Sequence, residues 1–144
     1  MRFMGLDIGD KRIGVAISDP LGLTAQGISV IHRSSLDEDI RVIDRIAKEH
    51  EVIQIVCGLP KNMNGTIGEQ AVRVQKFVAK LKQMVCIPVT TWDERLSTRA
   101  ADHAMIEGGL RRSKRKKRVD QVAASIILQS FLNHRSLADS RDPK

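Results

Sequence analysis

The chain has 144 residues, 42% hydrophobic and 28% charged, with 24 Lys and Arg against 17 Asp and Glu and a formal net charge of +7. That length suits one domain with its own core, and the composition is that of a globular protein rather than a disordered or membrane-embedded one. No apolar run reaches the length of a bilayer span and the N-terminus lacks the series of a signal peptide, so a cytoplasmic protein with no membrane partner is expected.

Taken in chain order, Arg2–Ile8 and Arg12–Ser18 are short apolar segments parted by Gly9, and Gly27–His32 is a third. They read as an antiparallel meander of three strands. Leu36–His50 sets Leu36, Ile40, Ile43 and Ala47 at helical spacing opposite Asp37, Arg41, Asp44 and Lys48, an amphipathic helix. Val52–Cys57 is a β-branched run that stops at Gly58-Leu59-Pro60 and predicts a buried strand. Gly68–Met84 repeats the helical pattern through Ala71, Val74, Val78 and Leu81, and Cys86–Trp92 follows as a strand. Leu96–Glu107 reads as a helix with Ser97 or Thr98 at its N-cap, closed by Gly108-Gly109. A last helix is expected to begin near Val119, with Val122, Ala123, Ile126 and Ile127 on its apolar face, and Leu137–Lys144 as a polar tail. The fold class is therefore α/β: a mixed sheet, three antiparallel N-terminal strands and then parallel ones, with helices on its faces. The domain spans residues 1–135 and a C-terminal tail residues 136–144.

Charge is concentrated in one place. Arg111, Arg112, Lys114, Arg115, Lys116, Lys117 and Arg118 form a run without which the rest of the chain is neutral. A local basic segment on a neutral body is the footprint of a polyanion contact, whereas a solvated loop is the plainer reading of the same run. Aromatic content is only 3%, with no Tyr. Few stacking platforms are available, so a nucleic acid would be held by its phosphates. Cys57 and Cys86 lie far apart in apolar segments and read as reduced core thiols, and the four histidines show no ligand spacing that would suit zinc.

Three acids are candidates for chemistry. Asp7 stands on an otherwise apolar first strand followed by Gly9 and Gly14, and a buried carboxylate is costly unless a cation or turn hydrogen bonds satisfy it. Glu94 ends the last predicted strand beside Asp93. Alternation along a strand sends those two side chains to opposite faces, so one of them is structural. Asp120 falls in the first turn of the last helix, where the dipole alone would favour an acid. Together they offer three carboxylates from separate elements, the set that one or two hard divalent cations, Mg²⁺ or Mn²⁺, require for phosphodiester hydrolysis. No GxSxG motif, cysteine nucleophile site or Walker-A loop competes with that chemistry.

Four ordered segments carry a family resemblance: Leu6-Asp7-Ile8-Gly9 with Lys11-Arg12-Ile13-Gly14-Val15-Ala16; Gly58-Leu59-Pro60 with Asn62-Met63 and Gly65-Thr66; Asp93-Glu94-Arg95-Leu96-Ser97-Thr98; and Val119-Asp120 with Ala123-Ala124. Over about residues 1–135 the chain resembles the YqgF/RuvX family of Holliday-junction resolvases, also described as nucleases that mature the ribosomal RNA of the small subunit. The resemblance implies an RNase H-like fold and a metal-dependent endonuclease acting at the 5′ end of pre-16S ribosomal RNA or on branched DNA. It also implies a monomer or homodimer, with Asp7, Glu94 and Asp120 at the metal-binding positions. Lys11 and Arg12 match basic positions near the first acid that would contact phosphate. The chain departs from the family pattern at Asp10, where Thr is expected, and at Lys61 and Asn64, where Leu and Asp are commoner.

Two rivals remain open at this point. The basic run alone would suit a nucleic-acid-binding or ribosome-assembly factor without turnover. An Asp-x-Gly strand with a following hairpin also opens actin-like and sugar-kinase ATPases, although those pair two such domains around a cleft.

Overall fold

A computed structural model describes residues 2–61, 64–94 and 112–141, the side chains of 112–120 and 136–141 excepted. The elements run β1 (Arg2–Ile8), β2 (Arg12–Ser18), β3 (Ala25–His32), α1 (Leu36–Glu49), β4 (Val52–Leu59), α2 (Glu69–Met84), β5 (Val89–Asp93) and α3 (Arg112–Arg141). Among the described residues the strands form one sheet in the order β3-β2-β1-β4-β5. β1 and β3 flank β2 antiparallel to it, while β4 runs parallel to both β1 and β5. The expected meander and the two strand-helix-strand steps are both present.

The sheet separates two cores. Met4, Leu6 and Ile8 of β1 point to one face with Ile55 and Cys57, where α1 and α2 cover them through Ile40, Ile43, Ala71, Val74, Phe77 and Leu81. Phe3, Ala16 and Val56 point to the other face and pack beneath α3 through Ala124, Ile127, Leu128 and Leu132. This alternation assigns the buried residues of β1 to one core or the other. Ser35 caps α1, its hydroxyl accepting from the Glu38 amide at 3.2 Å, and Asp37, Glu38 and Asp39 fill the positive end of the helix.

α3 lies close on its face because glycines there have no side chain. A Cβ on Gly5 would stand 2.7 Å from Leu128 Cβ and 2.9 Å from the Ala124 carbonyl oxygen, and one on Gly27 would stand 2.8 Å from the Gln121 carbonyl oxygen. Hydrogen bonds fix the helix across both edges of the sheet. Gln129 accepts from the Ala25 amide and donates to the Leu23 carbonyl, each at 2.9 Å, and the Trp92 indole donates to Ser130 at 3.0 Å.

Several boundaries differ from those read in the sequence. β3 begins at Ala25 and β4 runs on through Leu59, while β5 begins only at Val89, since Pro88 cannot donate to the ladder. Instead the Pro88 carbonyl accepts from the Ile55 amide at 2.9 Å. The last helix starts at Arg112, not near Val119, so the basic residues from Arg112 onward are helical rather than a connecting loop. Lys and Arg are good helix formers, and nothing between Arg112 and Arg118 breaks the turn. The same helix continues to Arg141 through the stretch read as a polar tail. Cys57 is buried and free, its thiol pushed up to about 12 by burial, but Cys86 is exposed and is not the core residue expected from its apolar neighbours. The helix expected over Leu96–Glu107 lies outside the described residues. Among the described residues no helix is long and apolar enough to cross a membrane.

Gly5→Ala should destabilise the protein by about 1–3 kcal/mol, because the added methyl meets backbone and a Cβ rather than the end of a flexible side chain. Urea denaturation of the two proteins measures the difference.

Candidate active site

β1, β4 and β5 are parallel, so their C-terminal ends share one edge of the sheet, where an α/β protein most readily presents functional side chains. Asp7 belongs to the set Phe3, Gly5, Asp7, which faces α3. It pairs with Gly14 of β2, and lies one residue beyond the last β1–β4 partner, Leu6 with Cys57. On β5, Trp92 packs under α3, so Asp93 points to the opposite face. Glu94 then returns to the α3 face, and its side chain lies across Gly58, whose Cβ would meet Glu94 Oε1 at 2.8 Å, Glu94 Cγ at 2.9 Å and Ile127 Cδ1 at 2.5 Å. Of the two adjacent acids it is therefore Glu94 that shares a face with Asp7.

Asp7 and Glu94 are hydrogen-bonded to each other. Burial first, then the negative charge of Asp7, then that hydrogen bond and the charge of Asp93 push the Glu94 carboxyl up to about 8. A proton shared between two such carboxyls lets one donate to the other. Two acids held this close exert on each other the repulsion that a divalent cation between them would relieve, and carboxylate oxygens are the ligands such hard cations take. Among the described residues no group of three or more His, Cys, Asp and Glu is placed to hold a metal ion. The backbone of Asp120 is helical, one turn before Ala124 on α3, but its side chain lies outside the described residues.

The β1–β2 turn beside the pair is tied down from three directions. The Gly9 amide donates to the Arg12 carbonyl at 2.9 Å. Arg33 reaches the turn from the end of β3: its Nη1 donates to the Gly9 carbonyl at 2.9 Å, its Nε to Asp39 at 3.2 Å, and its guanidinium lies 5.2 Å from the centre of the Phe77 ring. Asp39 is 1% exposed. Gln70 of α2 donates to the Ile8 carbonyl at 3.3 Å. Of the basic residues expected near the first acid, Lys11 is exposed in the turn, and Arg12 is half-buried at the start of β2. Arg111 and the side chains of Arg112, Lys114, Arg115, Lys116, Lys117 and Arg118 lie outside those described. Reading the sequence missed Gly58 as the seat of Glu94 and Arg33 as the brace of the turn. Gly58 gave a signal, being a glycine at the end of an otherwise β-branched strand. Arg33 gave none, since Gly9 and Phe77, two of its three partners, lie far along the chain.

A five-stranded sheet in the order 3-2-1-4-5 with its second strand antiparallel, helices on both faces and acids at the edge where β1 and β5 end, is the RNase H-like architecture. The family model described as "RuvX: Holliday junction resolvase" matches residues 1–134, and the chain belongs to that family. A relative from Clostridium novyi (strain NT) is 56% identical over 133 residues, covering 92% of this chain and 98% of that one, and bears the name "Putative pre-16S rRNA nuclease". A relative of the same name from Desulforamulus reducens is 51% identical over 133 residues, with 92% and 97% covered. Among solved structures, the chain superposes on T. thermophilus RuvC in complex with Holliday junction substrate with a TM-score of 0.59 at 15% identity, covering 94% of this chain and 96% of that one. It superposes on the fowlpox virus Holliday junction resolvase with a TM-score of 0.53 at 16% identity, covering 93% and 99%. These two likenesses are of fold.

The raised Glu94 value fixes the sign of a pH effect. Between its ordinary value of 4.5 and about 8 the folded protein keeps a proton that the unfolded chain releases. Stability therefore falls as pH rises through that window and levels off above it. In chelator, Glu94→Gln should lose this slope, so its melting temperature should gain on the parent's from about pH 5 to about pH 8. Parallel melting profiles of the two proteins over that range would refute the assignment.

Proposed function

We propose that the protein is a metal-dependent endonuclease that hydrolyses phosphodiester bonds in pre-16S ribosomal RNA. The observation that carries this reading is the Asp7–Glu94 carboxyl pair on the α3 face of the sheet edge, seated over Gly58. Asp7 and Glu94 would hold Mg²⁺ or Mn²⁺, with Asp120 as a third ligand from α3. When bound, such a cation stabilises charge on the phosphoryl oxygens and lowers the pKa of water. The chain's own contribution is placement. The sheet sets Asp7, Gly58 leaves room for Glu94, and the Arg33 brace fixes the turn that follows Asp7. The ribosomal substrate is supported by relatives above half identity over nearly their full length that carry that name. Holliday-junction cleavage is the second reading, favoured by the description of the matching family. The cytoplasm, where ribosomal precursors are trimmed in bacteria such as those relatives, is the compartment that fits.

Asp7→Asn should abolish cleavage while leaving the melting temperature within a few degrees of the parent's, because it removes charge from a ligand without changing its volume. The assay is cleavage of a 16S precursor and of a four-way junction side by side, with Mg²⁺ or Mn²⁺ present and with chelator. Undiminished turnover by the variant, or equal turnover in chelator, defeats the reading.

Neutralising the basic residues of 111–118 should weaken binding to all sequences alike, since cations on phosphate position a substrate without reading its bases. For every phosphate that goes unneutralised, the slope of log affinity against log salt should become shallower by about 0.9 on duplex DNA and about 0.7 on single strands. An unchanged affinity and slope would reduce the run to a solvated helix end.

A further inference from the structure

α2 carries a second basic surface. Ala71, Val74, Phe77, Val78 and Leu81 are buried against the sheet, which leaves Arg73 and Lys76 exposed and Lys80 half-buried at spacings of three and four, along one stripe of the opposite side. The stripe begins at the sheet edge that holds the carboxyl pair, because α2 follows β4 there and Gln70 donates to the Ile8 carbonyl next to Asp7. It also joins the β1–β2 turn directly: Arg73 Nη1 donates to both carboxylate oxygens of Asp10, at 3.0 and 3.2 Å. Both partners are 59% exposed, and Lys11 is exposed beside them.

We infer that Lys11, Arg73, Lys76 and Lys80 form a track for the phosphodiester backbone of a bound nucleic acid, and that Asp10 partly masks it by occupying Arg73. The track rests on the nuclease reading only in that its ligand is a polynucleotide. From Arg73 to Lys80 the helix rises about 10 Å, the reach of about three nucleotides of one strand. Beside Arg73 and Lys76 lies an open hollow of about 570 Å³ whose lining includes Ile67 and Val72, which are 47% and 41% exposed. Apolar side chains next to cations suit a sugar-phosphate chain, which offers carbon and anionic oxygen in alternation. Among the described residues, the acids paired with Arg73 are Asp10 and Glu69, the latter at 4.0 Å. An exposed ion pair is weak, so an incoming phosphate can replace the Asp10 carboxylate as the partner of Arg73.

The test measures binding of RNA and of DNA of one sequence across a salt series, using the full chain with Asp7→Asn to prevent cleavage. Arg73→Ala and Lys76→Ala should each weaken binding about five- to tenfold near 0.1 M salt and make the salt slope shallower by about the share of one phosphate. Asp10→Asn should tighten binding by about threefold, the size of the ion pair it releases, and that gain should vanish in an Arg73→Ala background. Melting temperatures should stay level throughout, since all these side chains reach solvent. If the Asp7→Asn parent binds nucleic acid but Arg73→Ala and Lys76→Ala in that background bind as tightly, the track is wrong while the nuclease reading stands. If Asp10→Asn gains equally with and without Arg73, the masking is wrong. Failure of the wild-type protein to bind any nucleic acid overturns both readings together.

Discussion

The close seating of α3 on the sheet is the constraint on which the rest of this structure depends. Where Gly5 and Gly27 lie beneath it, backbone meets backbone with no side chain between. Gln129 and Ser130 then tie the helix to the β3 edge and the β5 edge respectively. Any side chain that lifted the helix would thin the packing of Phe3, Val56, Ile127, Leu128 and Leu132 along its whole length. The carboxyl pair lies on that same face, so the geometry of the site is set by the packing that stabilises the fold.

The two faces of the sheet divide the work. Under α1 and α2 the strands bury Ile, Leu, Met and Val in ordinary fashion. Under α3 the same strands present Gly5, Asp7, Gly58, Trp92 and Glu94, a mixture of missing side chains and acids that makes a poor core by itself. Burying acids together opposes stability, and the same burial and neighbouring negative charge push the Glu94 carboxyl upward. The first face supplies the hydrophobic stabilisation that lets the second carry it.

Most of the architecture was legible because its signals are local and periodic. Alternation in β1 and β2 and the 3.6-residue spacing in α1 and α2 each fit within about a dozen residues, and all four elements fell within a residue or two of their expected ends. Asp7 and Glu94 were legible for a related reason: an acid interrupting or ending an apolar strand is conspicuous. The choice between Asp93 and Glu94 was not, because it turns on whether Trp92 faces α3, and that is decided by Ser130, 38 residues away. The start of α3 was misplaced since dense positive charge reads as loop, although Arg and Lys propagate a helix well. Cys86 was misplaced because an apolar neighbourhood in sequence says little about a short connection ending at Pro88.

Gly58 shows how fold and site are joined at a single atom. Its missing Cβ admits Ile127 from α3 and Glu94 from the end of β5 to the same small space, so the core side chain and the carboxyl group compete for it. An alanine there would have to displace both. Ile127 is 1% exposed and held by its helix, whereas Glu94 is partly exposed at the end of a strand. Glu94 would swing away from Asp7 and break the carboxyl pair, while Ile127, whose Cδ1 is the nearest atom at 2.5 Å, would have to shift within the core under α3. A glycine at this place in β4 therefore serves the site and the fold together, even though it is no ligand itself.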